Sequence, residues 1–406
     1  MNLMNKAYCR AVQSVFRIAQ PVLPYRAPAI LSGIDELPDL LKKKGITNLL
    51  LVTDPQLRGQ GITAPLEELL AQSGISCAVY DRTCANPTIH NVEEARTLYL
   101  ESGCQCLIAF GGGSAMDCAK AAGARIVRPA KRIPQMKGVM RVLHKLPMLI
   151  AIPTTAGTGS ETTLAAVITD SETKHKYPIN DFALIPSHAV LDPTVTYTLP
   201  PSLTATTGMD ALTHAVEAYI GRSTNKKTRA EALEATRLIF ENLEKVYTCG
   251  TNEEARANML RAAYLAGEAF SISYVGYVHA VAHSLGGQYN IPRGLANSVL
   301  LPIFLESYGE TIHKKLHDLA NAAGVSTPED SDQTAAENFI SAIRGMNERM
   351  GIPSTLSGIR EEDIPLMASH ADHEANPLYP VPVLMDAKAL EQFYYKAADW
   401  SEHDEH

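Results

Sequence analysis

The sequence predicts two domains: an α/β domain resting on a parallel, Rossmann-like sheet over residues 1–201, and an all-α domain over residues 202–406. Three observations carry that expectation. A chain of 406 residues exceeds the size at which a single core usually stops growing. From about Thr47, short apolar runs alternate with helical stretches, the pattern of parallel βαβ units whose strands are buried on both faces. After Pro200 and Pro201 the strand-like runs nearly vanish, and segments such as TRAEALEATRLIFENLEKV carry helical spacing and strong helix formers.

Taken in order, the chain opens with Lys6, Arg10, Arg17 and Arg26 and no acid before Asp35, and Tyr8 to Ile18 has the spacing of an amphipathic helix. Organelle transit peptides share that look. This segment is short and poor in Ser, so a helix lying on the protein is the expectation. NLLLVTD, CAVYD, CLIAF, MLIAIP, AAVITD and HAVLDP read as strands, with APLEELLAQSG and NVEEARTLYLESG as helices among them. No apolar run approaches the roughly 20 residues that cross a bilayer. The terminal SEHDEH reads as a hydrophilic fray whose histidines are not ligands.

Composition excludes several classes. A net charge of −8 without a basic face argues against nucleic acid as a partner. Seven cysteines, with no CxxC, read as reduced thiols of a cytoplasmic protein. Cys104 and Cys106 lie around a buried strand, where packing explains them.

Two glycine-rich turns follow buried strands. CLIAFGGGSAMDCAKAAGA is a strand, a three-glycine turn with Gly112 and Gly113, Ser114 as the expected helix N-cap, and a helix. Such a turn offers free N–H groups and the positive end of a helix dipole to a phosphate, although a tight strand-to-helix connection has the same sequence. Its spacing departs from GxGxxG. PTTAGTGSE places Thr154, Thr155, Thr158 and Ser160 in a second polar loop, suited to a ribose or phosphate. Asp54 closes NLLLVTD, where a carboxylate either binds both hydroxyls of an adenosine ribose, favouring NAD over NADP, or caps a turn.

The helical half carries Asp210 with His214 and His279 with His283, each pair four residues apart and so on one helix face. Core histidines with ordinary hydrogen-bond partners have this spacing too. A carboxylate and imidazoles converging between two apolar helices are what a divalent transition metal binds, and beside the glycine turns the metal reading is the expectation. The turns lie in one domain and the histidines in the other, so the active site is expected in the interdomain cleft.

With these motifs on the page, the chain resembles the iron-dependent (group III) alcohol dehydrogenase family, related to lactaldehyde and propanediol oxidoreductases. The resemblance runs from about Ile30 to near the C-terminus through GGGSAMDCAK, PTTAGTGSE, GMDALTHAVEAY and HAVAHSLGGQYNIPRGLAN. It implies an NAD-dependent oxidoreductase acting on a small primary alcohol, aldehyde or diol, and a homo-oligomer, dimeric or larger. It also implies that Asp54, Asn86, Gly113, Ser114, Thr154, Thr155, Thr163 and Lys176 line the NAD site, that Asp210, His214 and His279 are metal ligands, and that His283 lies near the substrate in a proton relay.

The family's fourth metal ligand is a histidine in Pro-His-Gly, and here the sequence reads Pro292-Arg293-Gly294. A guanidinium has no lone pair to offer and stays protonated, so it cannot coordinate a cation. The expectation is a divalent metal, Fe2+ ahead of Zn2+, held by three ligands with Arg293 turned away. The alternatives are a metal-free NAD(P)H-dependent reductase of a keto or enol acid, in which Arg293 pairs with Asp210 and is catalytic, and a nucleotide-binding relative without turnover.

Overall fold

The most apolar runs of the first half become the three adjacent central strands of a six-stranded sheet in the computed structural model of the protein, which describes residues 1–20, 23–172 and 175–401. The chain forms two compact units, residues 24–199 and residues 1–23 with 200–406.

In the first unit the strands are β1 (Ala29–Leu31), β2 (Asn48–Val52), β3 (Ser76–Tyr80), β4 (Cys106–Gly111), β5 (Gly138–Val139), β6 (Met148–Pro153), β7 (Ala165–Asp170), β8 (His175–Asn180) and β9 (His188–Val190). The main sheet runs β1-β9-β6-β4-β2-β3 and is parallel throughout. Successive side chains of its central strands enter two separate cores, as a period of two requires. Leu50, Leu107 and Leu149 join one core; Leu49, Ile108 and Ile150 join the other. Burial on both faces is why these runs are continuously apolar rather than alternating. AAVITD departs from the expected parallel sheet. As β7 it pairs antiparallel with β8, and with β5 these strands form a separate three-stranded sheet.

The chain passes from β2 outward to β3 and then back to β4 on the other side of β2. That reversal is the topological switch point, where open α/β sheets bind ligands at the carboxyl ends of their strands. Helices α2 (Leu37–Lys43), α3 (Pro55–Gly59), α4 (Ala64–Gln72), α5 (Ile89–Glu101) and α6 (Gly113–Val127) connect the strands, after an α1 (Leu3–Ala19) that precedes the sheet.

The helical unit contains α7 (Pro201–Ile220), α8 (Lys226–Thr248), α9 (Glu253–Ser273), α10 (Tyr277–Tyr289), α11 (Arg293–Tyr308), α12 (His313–Ala322), α13 (Asp332–Arg349), α14 (Ile364–Ala375) and α15 (Ala387–Ala397). It also claims α1, against the expectation that all of residues 1–201 share one domain. The reason is a set of polar anchors: Arg10 donates to the carbonyls of Val381 and Pro382, Gln13 to those of Pro377 and Tyr379, and Gln20 to that of Ile272. Among the described residues no helix is long and apolar enough to cross a membrane. The histidines of the terminal fray, His403 and His406, lie outside the described residues.

Candidate active site

At the switch point the two expected turns meet. β4 and β6 pair in register up to Gly111 opposite Pro153, so both loops leave the sheet side by side, and the Thr154 N–H donates to the Gly111 carbonyl at 3.1 Å. A Cβ on Gly112 would lie 3.6 Å from the Thr155 side chain, and one on Gly113 would lie 3.3 Å from that of Thr158. A side chain at Gly113 would crowd the second loop. Helix α6 begins at Gly113 with Gly112 as its N-cap, which corrects the assignment of that role to Ser114. Ser114 is already inside the first turn, and no side-chain hydrogen bond caps the helix. Its first N–H groups are therefore left to a ligand or to water.

Asp54 does both things its position allows. Its Oδ1 caps α3, accepting from the N–H groups of Gln56 and Leu57 at 2.9 Å. Its Oδ2 lies beside the glycine turn, 3.8 Å from where a Gly111 Cβ would stand. Asn86, in the left-handed region at φ 57°, accepts from Lys176 Nζ at 2.6 Å, so these two expected residues are in contact. Thr163 differs: its hydroxyl is taken by Lys120, whose buried Nζ also donates to the carbonyls of Ser160 and Ala165. Burial pulls the Lys120 ammonium down to about 8 and pushes the Glu161 carboxyl beside it in sequence to Ser160 up to about 7. Neither residue stood out in the sequence. Lys120 in GGGSAMDCAK was legible only as one turn beyond Asp117, which itself accepts from Ser160 Oγ and from the Val167 N–H.

The second cluster is built by α7, α10 and α11. Asp210, His214 and Glu217 share one face of α7, and all three are buried. His279 and His283 share one face of α10. One donor atom from each of Asp210, His214 and His279 lies within 4.8 Å of the others. The His214 ring stacks between Phe270, at 4.2 Å, and His279, at 4.4 Å. His283 stands apart and half-buried, its Nδ1 at 2.7 Å from Glu374, which also accepts from the Tyr379 hydroxyl.

Glu217 is the residue the sequence reading missed. Its carboxylate accepts from the N–H groups of Gly276 and Val278 at the start of α10, and it meets His279 Nδ1 at 2.6 Å. A carboxylate only accepts, so Nδ1 carries the proton and the lone pair of neutral His279 is on Nε2, turned toward Asp210. Gly276 permits this approach, because a Cβ there would come within 2.6 Å of Glu217 Oε1. The available signal was Glu217's place seven residues after Asp210 in GMDALTHAVEAY.

Arg293 is not turned away. Its Nη2 donates to Asp210 Oδ2 at 2.8 Å. The cause is Gly294, whose missing side chain lets α11 rest on the α7 backbone: a Cβ there would lie 2.4 Å from the Thr206 carbonyl oxygen. One turn on, Asn297 Nδ2 lies 2.7 Å from Asp210 Oδ1 and 3.1 Å from His279 Nε2. Burial opposes the charge on Asp210, but Arg293 and then His214 and His279 hold its carboxyl well below the usual range. His279 is likewise disfavoured as a cation by burial, yet Asp210 and Glu217 raise it. In chemistry and spacing, one carboxylate and two imidazoles fit a divalent cation. Arg293 adds charge but no donor, and the N–H groups of Arg293 and Asn297 hold the lone pairs such a cation would take.

Comparison with known proteins gives one answer along most of the chain. Residues 30–193 match the iron-containing alcohol dehydrogenase family, and residues 204–398 match the C-terminal part of the Fe-containing alcohol dehydrogenase family. Alcohol dehydrogenase 4 of Saccharomyces cerevisiae is 39% identical over 84% of this chain and 89% of its own length. A crystal structure of 1,3-propanediol oxidoreductase superposes with a TM-score of 0.88 at 36% identity, covering 92% of this chain and 99% of that one. Sulfoacetaldehyde reductase from Bifidobacterium kashiwanohense, solved in complex with NAD+, superposes with a TM-score of 0.81 at 28% identity, covering 92% of this chain and 98% of that one. Two matched halves, a relative well above 30% identity across most of the sequence and a shared fold leave one conclusion: the chain belongs to the iron-containing alcohol dehydrogenase family.

Proposed function

We propose that this enzyme transfers a hydride between NAD(H) and a small primary alcohol, aldehyde or diol, with a divalent metal assisting from the helical unit. The observation that carries the reading is the buried convergence of Asp210, His214 and His279, with Glu217 fixing the tautomer of His279. In the forward direction the alcohol loses its hydroxyl proton and a carbon-bound hydride, the hydride goes to NAD+, and aldehyde, NADH and a proton result. A cation held by Asp210, His214 and His279 supplies Lewis-acid polarisation of the substrate oxygen.

The chain's own groups do the rest. The uncapped start of α6 with Gly112, Gly113 and Ser114 receives the pyrophosphate, and Asp54 Oδ2 faces the adenosine ribose and disfavours a 2′-phosphate. Thr154 and Thr155 line the same loop, and Asn86 and Lys176, in contact with each other, would complete the NAD-binding set. Arg293 holds Asp210 in place and adds a fixed positive charge for the oxygen that becomes anionic. His283, oriented by Glu374, carries the released proton toward solvent. The α/β unit thus serves as the dinucleotide domain and the helical unit as the metal and substrate domain. The assembly is read as a homo-oligomer working in the cytoplasm.

A metal-free reductase of keto or enol acids has the Arg293–Asp210 pair in its favour and is the weaker reading, because three intact ligands stand around a common point. The test is metal analysis of anaerobically purified protein beside NADH oxidation with short aldehydes and keto acids, with and without chelator. Bound iron and chelator-sensitive aldehyde turnover are expected. Chelator-insensitive turnover of keto acids establishes the metal-free reading instead, and NADH binding without turnover defeats both.

A further inference from the structure

The docked face of α1 joins the connection that leads into α10 to the segment that leaves α14. Toward α10, Gln20 Nε2 donates to the Ile272 carbonyl at 2.7 Å, and Phe16 meets the Tyr274 ring edge-on at 4.8 Å. Beyond the end of α14, Gln13 Nε2 donates to the carbonyls of Tyr379 at 2.7 Å and Pro377 at 3.3 Å. Arg10 donates to those of Val381 at 2.7 Å and Pro382 at 2.8 Å. Arg10 Nη1 also donates to Gln13 Oε1 at 2.8 Å, which fixes the orientation of that amide. The family match starts at residue 30, after α1 has ended, so these contacts are added to the matched segments.

The two tied segments meet in a pair of tyrosines. Tyr274 has φ 64° and ψ 170°, a backbone state that residues with side chains rarely adopt and that persists only where the surroundings over-determine it. Its ring is flanked by Phe16 and, at 6.2 Å, by Tyr379. Tyr379 is held in turn at its carbonyl by Gln13 and by the Val381 N–H.

Helices α10 and α14 each carry one member of the His283–Glu374 pair. Glu374 Oε1 accepts from His283 Nδ1 at 2.7 Å and from the Tyr379 hydroxyl at 2.8 Å. The carboxylate only accepts, so His283 Nδ1 keeps its hydrogen and the basic lone pair is on Nε2. With the two side chains 36% and 35% exposed, burial does not lock the pair, and a pair this open has little strength of its own. The second bond from Tyr379 aims the carboxylate, and Gln13 holds Tyr379. A continuous series of contacts thus runs from Arg10 through Gln13, Tyr379 and Glu374 to the imidazole.

We propose that Arg10 and Gln13 are positioning residues for His283, and that α1 clamps α10 and α14 so that the imidazole receives the substrate's proton in one fixed orientation. This rests on the reading of His283 as the proton carrier. The hydroxyl proton arrives at Nε2 and departs from it to solvent, while Glu374 keeps the Nδ1 hydrogen throughout; α1 makes and breaks no bond.

The experiment places Arg10→Ala and Gln13→Ala in the full chain, each alone and each combined with His283→Asn, and follows single-turnover alcohol oxidation, KM for NAD+, bound metal and hydrogen exchange. Each α1 variant alone is expected to slow turnover by about tenfold. KM for NAD+ and bound metal should stay unchanged, and amide exchange should quicken in residues 277–289 and 364–375 but not in the α/β unit. In the His283→Asn background the same substitutions are expected to cost less than about twofold, because a group acting through His283 has nothing left to position. Where Arg10→Ala does not fold by circular dichroism, Gln13→Ala carries the comparison, since it leaves the Arg10 bonds to carbonyls in place. A full additional loss in the His283→Asn background overturns the proposal, because α1 then supports the fold in general. Native turnover in both α1 variants, with His283→Asn slow, overturns it while the proton-carrier reading stands. Native turnover in His283→Asn defeats that reading and the proposal with it.

Discussion

The glycine turns of the α/β unit and the carboxylate–imidazole cluster of the helical unit are both candidate sites, but they are held in opposite ways. At the turns, the binding groups belong largely to the backbone, and a strand end, a turn and a helix start from one stretch of sequence position them. In the cluster every working group is a side chain, and α7, α10 and α11 each deliver part of it across more than eighty residues, from Asp210 to Asn297. A backbone site tolerates side-chain changes that leave its path alone. A side-chain cluster fails when any orienting partner is lost, because the groups are buried and charged.

The difference is broken most severely at Asp210. Asp210→Asn removes the single anionic donor, and bound metal is expected to fall to background with kcat/KM down by about a hundredfold to a thousandfold, while KM for NADH stays put. Elemental analysis and steady-state kinetics read both. If metal content survives, the cluster is not the metal site.

Glu217→Gln tests the orienting shell. The amide no longer enforces the Nδ1–H tautomer of His279, so metal affinity is expected to weaken by about ten- to a hundredfold in a competitive chelator titration. A variant with native affinity leaves Glu217 as a helix cap only.

On the other side, Gly111→Ala is the matching backbone lesion. Gly111 sits at φ 155°, and a Cβ there would meet that of Ala115 at 2.8 Å. Strain of about 1–3 kcal/mol is expected to lower the melting temperature and raise KM for NADH, with metal content unchanged. Loss of metal in this variant erases the proposed division of labour.

The smallest effect is one of pH. Burial raises the Glu161 carboxyl to about 7, so the folded state holds this proton to higher pH than the unfolded chain. Stability from that group is present below the unfolded value and is lost as pH rises through about 7. The melting temperature of the native chain should therefore fall relative to Glu161→Gln between about pH 5 and pH 8. A constant difference across that range shows that Glu161 titrates normally.

The local devices were legible before folding. NLLLV, CLIAFG and MLIAIP coincide with β2, β4 and β6, because burial on both faces leaves an unbroken apolar run. The pairs Asp210/His214 and His279/His283 were legible because helical periodicity brings together residues four apart, and the family resemblance singled out Asp210, His214 and His279 as the expected donors. Ser114 was misread, since a glycine with extended backbone also serves as N-cap, only slightly less well than a serine. Arg293 was misplaced, since nothing local says that Gly294 lets α11 settle on Thr206.

Sequence alone therefore determined the alternation of strands and helices, the two turns, the three candidate donors and the presence of an arginine that cannot coordinate. Each of these is a property of a short segment and its period. Tertiary structure decided that α1 docks on the helical unit through Arg10, Gln13 and Gln20, that Glu217 sets the proton on His279, and that Arg293 and Asn297 close on Asp210. Those outcomes depend on how closely helices distant in sequence approach one another, a distance set by packing and by the absence of a few Cβ atoms.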